Sequence, residues 1–307
     1  MESISELIGK ARAAQAEFEK TATQESVDAI VKAIAKVIYD NADPLAKMAA
    51  EESGMGVYED KINKNKGKAR VIWNFLKDKK SVGVINRDEK TCITEVARPM
   101  GVIAAITPCT NPIVTPMCNA MYAIKGRNAI IIAPHPRAKK CAKVVTDLFR
   151  KEIEKQGAPA DLVLLVEEPS TALSAELMSK CDVVVATGGM GMVKAAYSSG
   201  KPAYGVGAGN VQCIIDRGVN YAEAAPKIIE GRRFDNGIIC SGEQTIILPK
   251  EDYAEIIEIF VKNGCAYIEK PEDVEKLKKT LFTITETGGF AMNKNLVCLL
   301  YTSPSPR

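Results

Sequence analysis

The sequence contains a single histidine, His135, among 307 residues. One imidazole excludes a zinc centre built on several histidines, and it excludes a catalytic pair of histidines. The nine cysteines include no Cys-x-x-Cys pair, and they are odd in number and scattered. This spacing predicts reduced thiols in a cytoplasmic protein, rather than a disulfide framework or a zinc site. We therefore expect no bound metal.

The sequence has no large excess of charge of either sign, and it has no long hydrophobic runs. Lys and Arg number 41 against 38 Asp and Glu, and the net charge of +3 creates no field that favours nucleic acid. No stretch approaches the ~20 apolar residues of a membrane span, and the N-terminus has no apolar signal-peptide core. With 46% hydrophobic and 26% charged residues, the composition is that of a globular protein. We expect no nucleic-acid or membrane partner.

Before residue 100 the sequence predicts helices. From Ser26 onward, apolar residues recur at three- and four-residue steps as far as Ile38, which is typical of an amphipathic helix. The basic stretch KINKNKGKAR (61–70) is interpreted as a solvent-exposed helix face without a functional role.

From about residue 100, short apolar runs alternate with helix-length segments. Continuous apolar runs are typical of parallel strands, because helices cover both faces of such a sheet. The alternation predicts a doubly wound α/β domain, in which ligands bind beyond the carboxyl ends of the strands. We expect the loops after Thr107, Ala133 and Ala186 to line a site. The runs are GVIAAIT (101–107), AIIIA (129–133), LVLLV (162–166) and VVVA (183–186).

Two of these loops have chemistry suited to a nucleotide. Thr187, Gly188 and Gly189 precede a predicted helix, whose N-terminal N–H groups can meet a phosphate. The segment PHPRAKK (134–140) brings cations to the rim of the expected site, where a ribose or its 2′-phosphate could be held. Alternatively, its prolines simply start a helix. The segment GVGAGN (205–210) lacks the third glycine of the ordinary dinucleotide fingerprint and leads into a predicted strand, VQCII.

Two cysteines lie on predicted loops and are candidates for a nucleophile. A reactive cysteine needs partial exposure and a setting that stabilises its thiolate, whereas most cysteines are small buried hydrophobes. Cys109 lies on the expected binding edge, and Cys240 lies between a helix that ends near Phe234 and the strand TIILP. The residues alone leave both open. The cysteines expected in the core are Cys118, Cys141, Cys181 and Cys213.

Four segments occur in order along the chain: TNP (110–112), GRNAIIIAPHPRAK (126–139), ATGGMGMVKAAYSSGKPAYGVGAGN (186–210) and FDNGIICSGEQ (234–244). They resemble the CoA-acylating branch of the aldehyde dehydrogenase superfamily, which includes acylating succinate-semialdehyde and acetaldehyde dehydrogenases and the N-terminal half of bifunctional aldehyde-alcohol dehydrogenases. The similarity extends back through MGVYEDK and IWNFLKDKKSVG.

The resemblance implies a fold and an activity. It implies an aldehyde dehydrogenase-like α/β fold, with N-terminal helices and a doubly wound, parallel-sheet dinucleotide-binding domain over 1–235 and an incomplete α/β catalytic domain over 236–297. The implied reaction reversibly converts an aldehyde, CoA and NAD or NADP into acyl-CoA and reduced dinucleotide. Succinate semialdehyde or a short-chain aldehyde is the expected substrate. The full-length protein is expected to be a homo-oligomer.

The resemblance also assigns site residues. Cys240 matches the nucleophile of the family, and Asn111 matches its oxyanion-stabilising amide. Hydrolytic relatives carry a glutamate base where this sequence has Gly205, so CoA rather than water is the expected acyl acceptor. The residues that match loops facing the dinucleotide are Thr107, Pro108, His135, Pro136, Arg137, Thr187, Gly188, Gly189 and Gly207.

Other interpretations stay open at this point. An acyl-phosphate reductase of the same fold, such as glutamyl-phosphate reductase, also uses a cysteine and NADPH. A non-catalytic nucleotide-binding fragment is a further alternative. The N-terminal helix could serve as a microcompartment encapsulation signal, although an ordinary surface helix is favoured. The Ser/Pro-rich tail CLLYTSPSPR (298–307) does not resemble the family. Because the family continues beyond this point, we expect this chain alone to have little or no activity.

Overall fold

The computed structural model describes residues 2–285 and 289–293, so the predicted non-family tail lies outside the described residues. Contacts divide the chain into two compact units. The first comprises the residues up to Ser53 together with Tyr58–Ala208, and the second comprises Gly54–Val57 together with the residues from Gly209 onward. The domain boundary expected after residue 235 stays a prediction.

The first unit combines helices with a parallel sheet. Its helices are α1 (Ile4–Thr21), α2 (Gln24–Asp40), α3 (Ala42–Ser53), α4 (Tyr58–Leu76), α5 (Val114–Lys125), α6 (Lys139–Lys155), α7 (Thr171–Lys180) and α8 (Met190–Tyr197). Its strands are β1 (Gly83–Asp88), β2 (Ile93–Ala97), β3 (Val102–Thr107), β4 (Ala129–Pro134), β5 (Val163–Leu165), β6 (Val183–Thr187) and β7 (Ala203–Val206). Strands β1 and β2 form a separate antiparallel ribbon.

The main sheet has the strand order β5-β4-β3-β6-β7, and every pairing in it is parallel. The four predicted apolar runs are its strands β3 to β6, so the predicted parallel α/β fold is confirmed. Strand β4 is buried along its whole length, as a central strand covered on both faces must be. Strand β7 does not contain a continuous apolar run, because alternate residues of this edge strand are exposed.

The N-terminal helices pack their apolar faces into the core of this unit. In α2, Ile30, Ile34 and Ile38 are completely buried, which confirms the predicted amphipathic helix. Burying each such side chain contributes roughly 1.5–3 kcal/mol. Helix α1 begins with a capping box between Ser3 and Glu6 and also buries its apolar residues. Its packing agrees with the interpretation as an ordinary helix of the fold.

The interpretation of KINKNKGKAR as a solvent-exposed helix face is only partly right: Lys66, Lys68 and Arg70 are exposed, but another part of the stretch is buried. Within helix α4, Lys61, Lys64 and Asn65 are only 3%, 6% and 3% exposed. These residues share one helix face with the buried Ala69. Within the unit, Lys64 donates to the Asn111 side chain and Asn65 donates to the Ala42 carbonyl, and Lys61 also has a partner. Partners of this kind offset the cost of removing polar groups from water.

The second unit has its own small core. Its elements are β8 (Val211–Ile214), α9 (Tyr221–Arg233), a 3-10 helix (Phe234–Gly237), β9 (Glu243–Ile247), α10 (Tyr253–Lys262), α11 (Pro271–Leu281), β10 (Phe282–Ile284) and β11 (Phe290–Met292). Strands β8 and β9 pair in parallel, and both were predicted as strands. Ile215, Ala225, Ile228, Ile256 and Phe260 form the buried cluster. None of the helices in the described ranges combines the length and apolar character that crossing a membrane requires.

Candidate active site

The loops predicted to bind a dinucleotide meet at one edge of the first unit. The parallel register pairs Thr107 with Pro134, Ile106 with Ala186, and Thr187 with Val206. Because the strands are parallel, their carboxyl ends lie at the same edge of the sheet. The residues that this arrangement brings to the edge are Thr107, Pro108, His135, Pro136, Arg137, Thr187, Gly188, Gly189 and Gly207.

A hydrogen bond ties the loop after β4 to the end of β3. The His135 N–H donates to the Thr107 carbonyl at 2.9 Å. His135 Nδ1 accepts from the Arg137 N–H at 3.1 Å and caps a 3-10 helix over Pro136–Ala138. Pro136 thus starts a 3-10 helix, and a role for this loop in holding a ribose or its 2′-phosphate stays a prediction. Partial burial, with the nearby Arg137 charge, lowers the pKa of His135 from its usual value of 6.5.

The cations of this loop have partners within the protein. Arg137 Nη2 lies 3.7 Å from Cys109 Sγ, so the guanidinium reaches toward the loop after β3. Lys139 pairs with the carboxylate of Glu168 at 2.7 Å. Cys109 itself is only 8% exposed. Of the two loop cysteines that the sequence left open, Cys109 is therefore buried beneath an arginine.

Two helix N-termini near this edge differ in their capacity for an anion. At α6, the Glu52 carboxylate accepts the N–H groups of Lys140 and Cys141, both at 2.7 Å. An acidic side chain of the protein thus occupies that N-terminus. Helix α8 begins at the N-cap Gly189, with no side-chain cap, and nothing lies within 4 Å of the position that a Gly189 Cβ would take. Its N–H groups and open approach suit a phosphate.

Gly205 lies where a side chain has no room. A Cβ at this position in β7 would lie 2.7 Å from Val193 Cγ1 and 2.9 Å from the Tyr197 ring, both on α8. The Tyr197 hydroxyl also accepts from the Gly205 N–H at 3.2 Å. The position matched to the glutamate base is therefore closed by packing. Gly207 is less constrained, since its Cβ would meet the flexible end of Met190.

Asn111 lies on the loop between β3 and α5 in the first unit. Its backbone carbonyl accepts the Thr115 N–H at 3.3 Å, which ties the loop to the start of α5. Its side-chain Oδ1 accepts from Lys64 Nζ at 2.9 Å. Sequence reasoning missed Lys64, because a basic stretch usually marks a solvated surface. The only signal was indirect: the buried Ala69 and Leu76 follow Asn65, the neighbour of Lys64, at the helical spacings of four and eleven residues.

Cys240 lies in the second unit, in a turn between the 3-10 helix and β9, and its side chain is exposed. Within the described part of the chain, no group accepts a hydrogen bond from its backbone N–H. A Cβ on Gly209 would lie 2.2 Å from the Cys240 carbonyl oxygen, so only glycine permits this backbone approach. The turn therefore presents both the thiol and a backbone donor.

The segment before Cys240 has an unusual backbone. Asp235, Asn236 and Gly237 adopt φ values of 52°, 55° and 72° in succession. Left-handed conformations cost a non-glycine residue roughly 1–2 kcal/mol, and they persist where surrounding contacts hold them. The Asp235 carboxylate is completely buried and accepts the Val57 N–H at 2.8 Å. This contact anchors the turn that carries Cys240.

The remaining predicted core cysteines differ in burial. Cys141 and Cys181 are completely buried, as predicted, and burial raises the pKa of both thiols. Cys118 and Cys213 are half-buried. Desolvation raises the pKa of Cys118 to about 11, which keeps its thiol protonated at neutral pH. In the described ranges, no group of three or more His, Cys, Asp or Glu side chains is arranged to hold a metal ion.

Comparison with known proteins identifies the family. The model of the aldehyde dehydrogenase family matches residues 1–273. The chain belongs to the aldehyde dehydrogenase family. It is 56% identical over 280 residues to the succinate-semialdehyde dehydrogenase (acetylating) of Clostridium kluyveri, a match that covers 91% of this chain and 62% of the relative.

Solved structures of family members match the fold. An acetylating aldehyde dehydrogenase from Geobacillus thermoglucosidasius aligns with a TM-score of 0.85 and 40% identity, over 91% of this chain and 62% of that one. A Rhodopseudomonas palustris propionaldehyde dehydrogenase was solved with bound CoA and an acylated cysteine. It aligns with a TM-score of 0.79 and 31% identity, over 95% of this chain and 66% of that one. The chain thus spans about two thirds of the length, or slightly less, of the relatives it matches.

Proposed function

We propose that the protein is a CoA-acylating aldehyde dehydrogenase in which Cys240 is the nucleophile and Asn111 supplies an oxyanion donor. The reaction oxidises an aldehyde with NAD or NADP and transfers the acyl group to CoA. Succinate semialdehyde or another short-chain aldehyde is the proposed substrate, and the relative from Clostridium kluyveri supports the former. On the same resemblance, we propose that the intact protein is a cytoplasmic homo-oligomer.

The observation that carries the proposal is the contrast between the two loop cysteines. Cys109 is 8% exposed, whereas Cys240 is exposed in a turn that a buried carboxylate anchors. A nucleophilic thiolate must reach its substrate, and burial in apolar surroundings disfavours the ionised form. Exposure therefore favours Cys240, and the family resemblance selects the same residue.

The chemistry follows from the groups of the chain itself. The Cys240 thiolate attacks the aldehyde carbon, and the carbonyl oxygen becomes an oxyanion. The Cys240 N–H and the Asn111 amide are the proposed donors to that oxygen, and one such donor is typically worth ~10²- to 10³-fold in rate. The bound dinucleotide supplies the hydride acceptor. Loss of hydride leaves a thioester on Cys240, which then releases its acyl group to the CoA thiolate.

Features of the first unit support dinucleotide binding at the sheet edge. The uncapped N-terminus of α8 suits a pyrophosphate, and Gly188 and Gly189 present no side chain to block its approach. The neighbouring N-terminus of α6 does not suit one, because Glu52 occupies it. We therefore propose the loops after β3, β4 and β6, rather than the α6 N-terminus, as the binding edge.

The packing around Gly205 supports CoA over water as the acyl acceptor. A positioned general base typically accelerates proton transfer by ~10²- to 10⁴-fold. Gly205 offers no such base, and Val193 and Tyr197 fill the space that its side chain would need. The thioester on Cys240 is thus protected from rapid hydrolysis.

The experiment compares Cys240→Ala with Cys92→Ala in the intact polypeptide that carries this sequence. Cys92 is also exposed but lies at the β1–β2 turn, so it controls for the loss of an accessible thiol. CoA-dependent formation of reduced dinucleotide should disappear in Cys240→Ala and persist in Cys92→Ala. Turnover that survives in Cys240→Ala would contradict the proposal.

A further inference from the structure

Lys64 is a buried cation of the first unit to which the chemistry described above gives no role. Its side chain lies on α4 and is 6% exposed. Apolar side chains, including Ala49, Ile113 and Val114, line the same small pocket. Lysine is almost never this buried without a partner, because removing an ammonium group from water is costly. Its Nζ lies 2.9 Å from Asn111 Oδ1.

This contact fixes the orientation of the Asn111 amide. An ammonium group only donates hydrogen bonds, so the amide atom that faces it must be the oxygen. The Nδ2 group is therefore turned away from Lys64. It lies 3.4 Å from Thr110 Oγ1, which is long for a hydrogen bond, so it keeps the capacity to donate elsewhere. An amide rotated by 180° would present its oxygen instead, and that oxygen would repel an oxyanion.

The charge of Lys64 also strengthens the amide as a donor. Hydrogen bonds with one ionised partner are roughly twice as strong as neutral ones, and linked hydrogen bonds polarise one another. A cation on the oxygen side of an amide withdraws electron density from its N–H groups. Because Lys64 is buried, water screens this effect only weakly.

We propose that Lys64 is a positioning residue that holds the Asn111 amide with its N–H groups available to the oxyanion and polarises them. The inference rests on the proposed role of Asn111 in the reaction. Lys64 acts through Asn111 and does not itself contact the substrate.

The test compares Lys64→Met with Lys66→Met in the intact polypeptide. Both changes remove a lysine charge from α4, but Lys66 is exposed and lies away from Asn111. In single-turnover experiments, Lys64→Met should form reduced dinucleotide about ten- to a hundredfold more slowly. In steady-state experiments, its KM for the aldehyde should change little. Lys66→Met should match the wild type. Lys64→Arg keeps a charged donor and should recover part of the rate.

A double-mutant cycle separates positioning from a structural role. If Lys64 acts through Asn111, then Lys64→Met should slow an Asn111→Ala protein less than about twofold further. A purely structural role would instead lower both rates by the same factor. The Asn111 side-chain amide signals, identified by their loss in Asn111→Ala, should shift in NMR spectra of Lys64→Met and stay in place in Lys66→Met.

The possible outcomes are distinct. A wild-type protein without CoA-dependent turnover would refute the proposed function and the catalytic part of this inference with it. Wild-type turnover that Lys64→Met leaves unchanged would refute only the role of Lys64. Unmoved Asn111 amide signals in Lys64→Met would show that the contact does not orient the amide, whatever the activity.

Discussion

Adding a single methyl group at Gly205 should destabilise the protein. An alanine Cβ there would lie 2.7 Å from Val193 Cγ1 and 2.9 Å from the Tyr197 ring. Ordinary carbon contacts are about 3.5–4.0 Å, so the overlap approaches 1 Å. The ring of Tyr197 is exposed and can move, but Val193 is buried and β-branched, with a stiff side chain. Overpacking of this kind typically costs about 1–3 kcal/mol.

The free energy of unfolding, measured by urea denaturation, checks this prediction. Gly191→Ala is the matched control, because Gly191 lies on α8 with nothing within 4 Å of its Cβ position. That change should stabilise the protein by up to about 1 kcal/mol through helix propensity. If Gly205→Ala unfolds at the same urea concentration as the wild type, the space at Gly205 is not closed.

The same position makes a functional prediction. Gly205→Glu places a carboxylate where hydrolytic relatives have their base, but α8 leaves no space for it. We expect the variant to lose stability without gaining CoA-independent formation of reduced dinucleotide. Hydrolytic turnover in Gly205→Glu would refute the steric argument and leave only the missing base as the reason for the choice of CoA.

Three further predictions concern other groups. Glu52→Ala should lower the free energy of unfolding by about 1–2 kcal/mol, because α6 loses its cap, whereas the exposed Glu51→Ala should not. The pKa of His135 is lowered in the folded state, so the neutral imidazole contributes to stability. This contribution is complete above pH 6.5 and is lost as the pH falls through the folded-state pKa. NMR titration of this sole histidine should give a pKa below 6.5. Iodoacetamide at pH 8 should label Cys240 well before Cys141, as followed by peptide mass spectrometry.

The sequence predicted the sheet well, for a physical reason. Strands β3 to β6 are continuous apolar runs, because helices cover both faces of a central parallel strand. Edge strand β7 has no continuous apolar run, because Tyr204 and Val206 are exposed and only Gly205 packs on α8. Its residues could be compared with the general-base segment of the family, but their periodicity alone predicted no strand.

The site was less predictable, because its decisive contacts are long-range. The sequence could not foresee that Glu52 caps α6 or that Lys64 contacts Asn111, 88 and 47 residues away along the chain. Likewise, the local sequence pattern made Cys109 and Cys240 equally good candidates for the nucleophile, and only their different burial in the fold distinguishes them. Residue type and spacing thus located the loops, whereas folding decided which of their side chains are accessible.

Trapping the acyl group on the protein tests the central claim most directly. The intact polypeptide is mixed with aldehyde and oxidised dinucleotide in the absence of CoA, quenched in acid, digested and analysed by mass spectrometry. We predict that the peptide containing Cys240 gains the mass of the acyl group and loses it when CoA is added before quenching. An acyl group on Cys109, or no acylated cysteine despite dinucleotide reduction, would contradict the account.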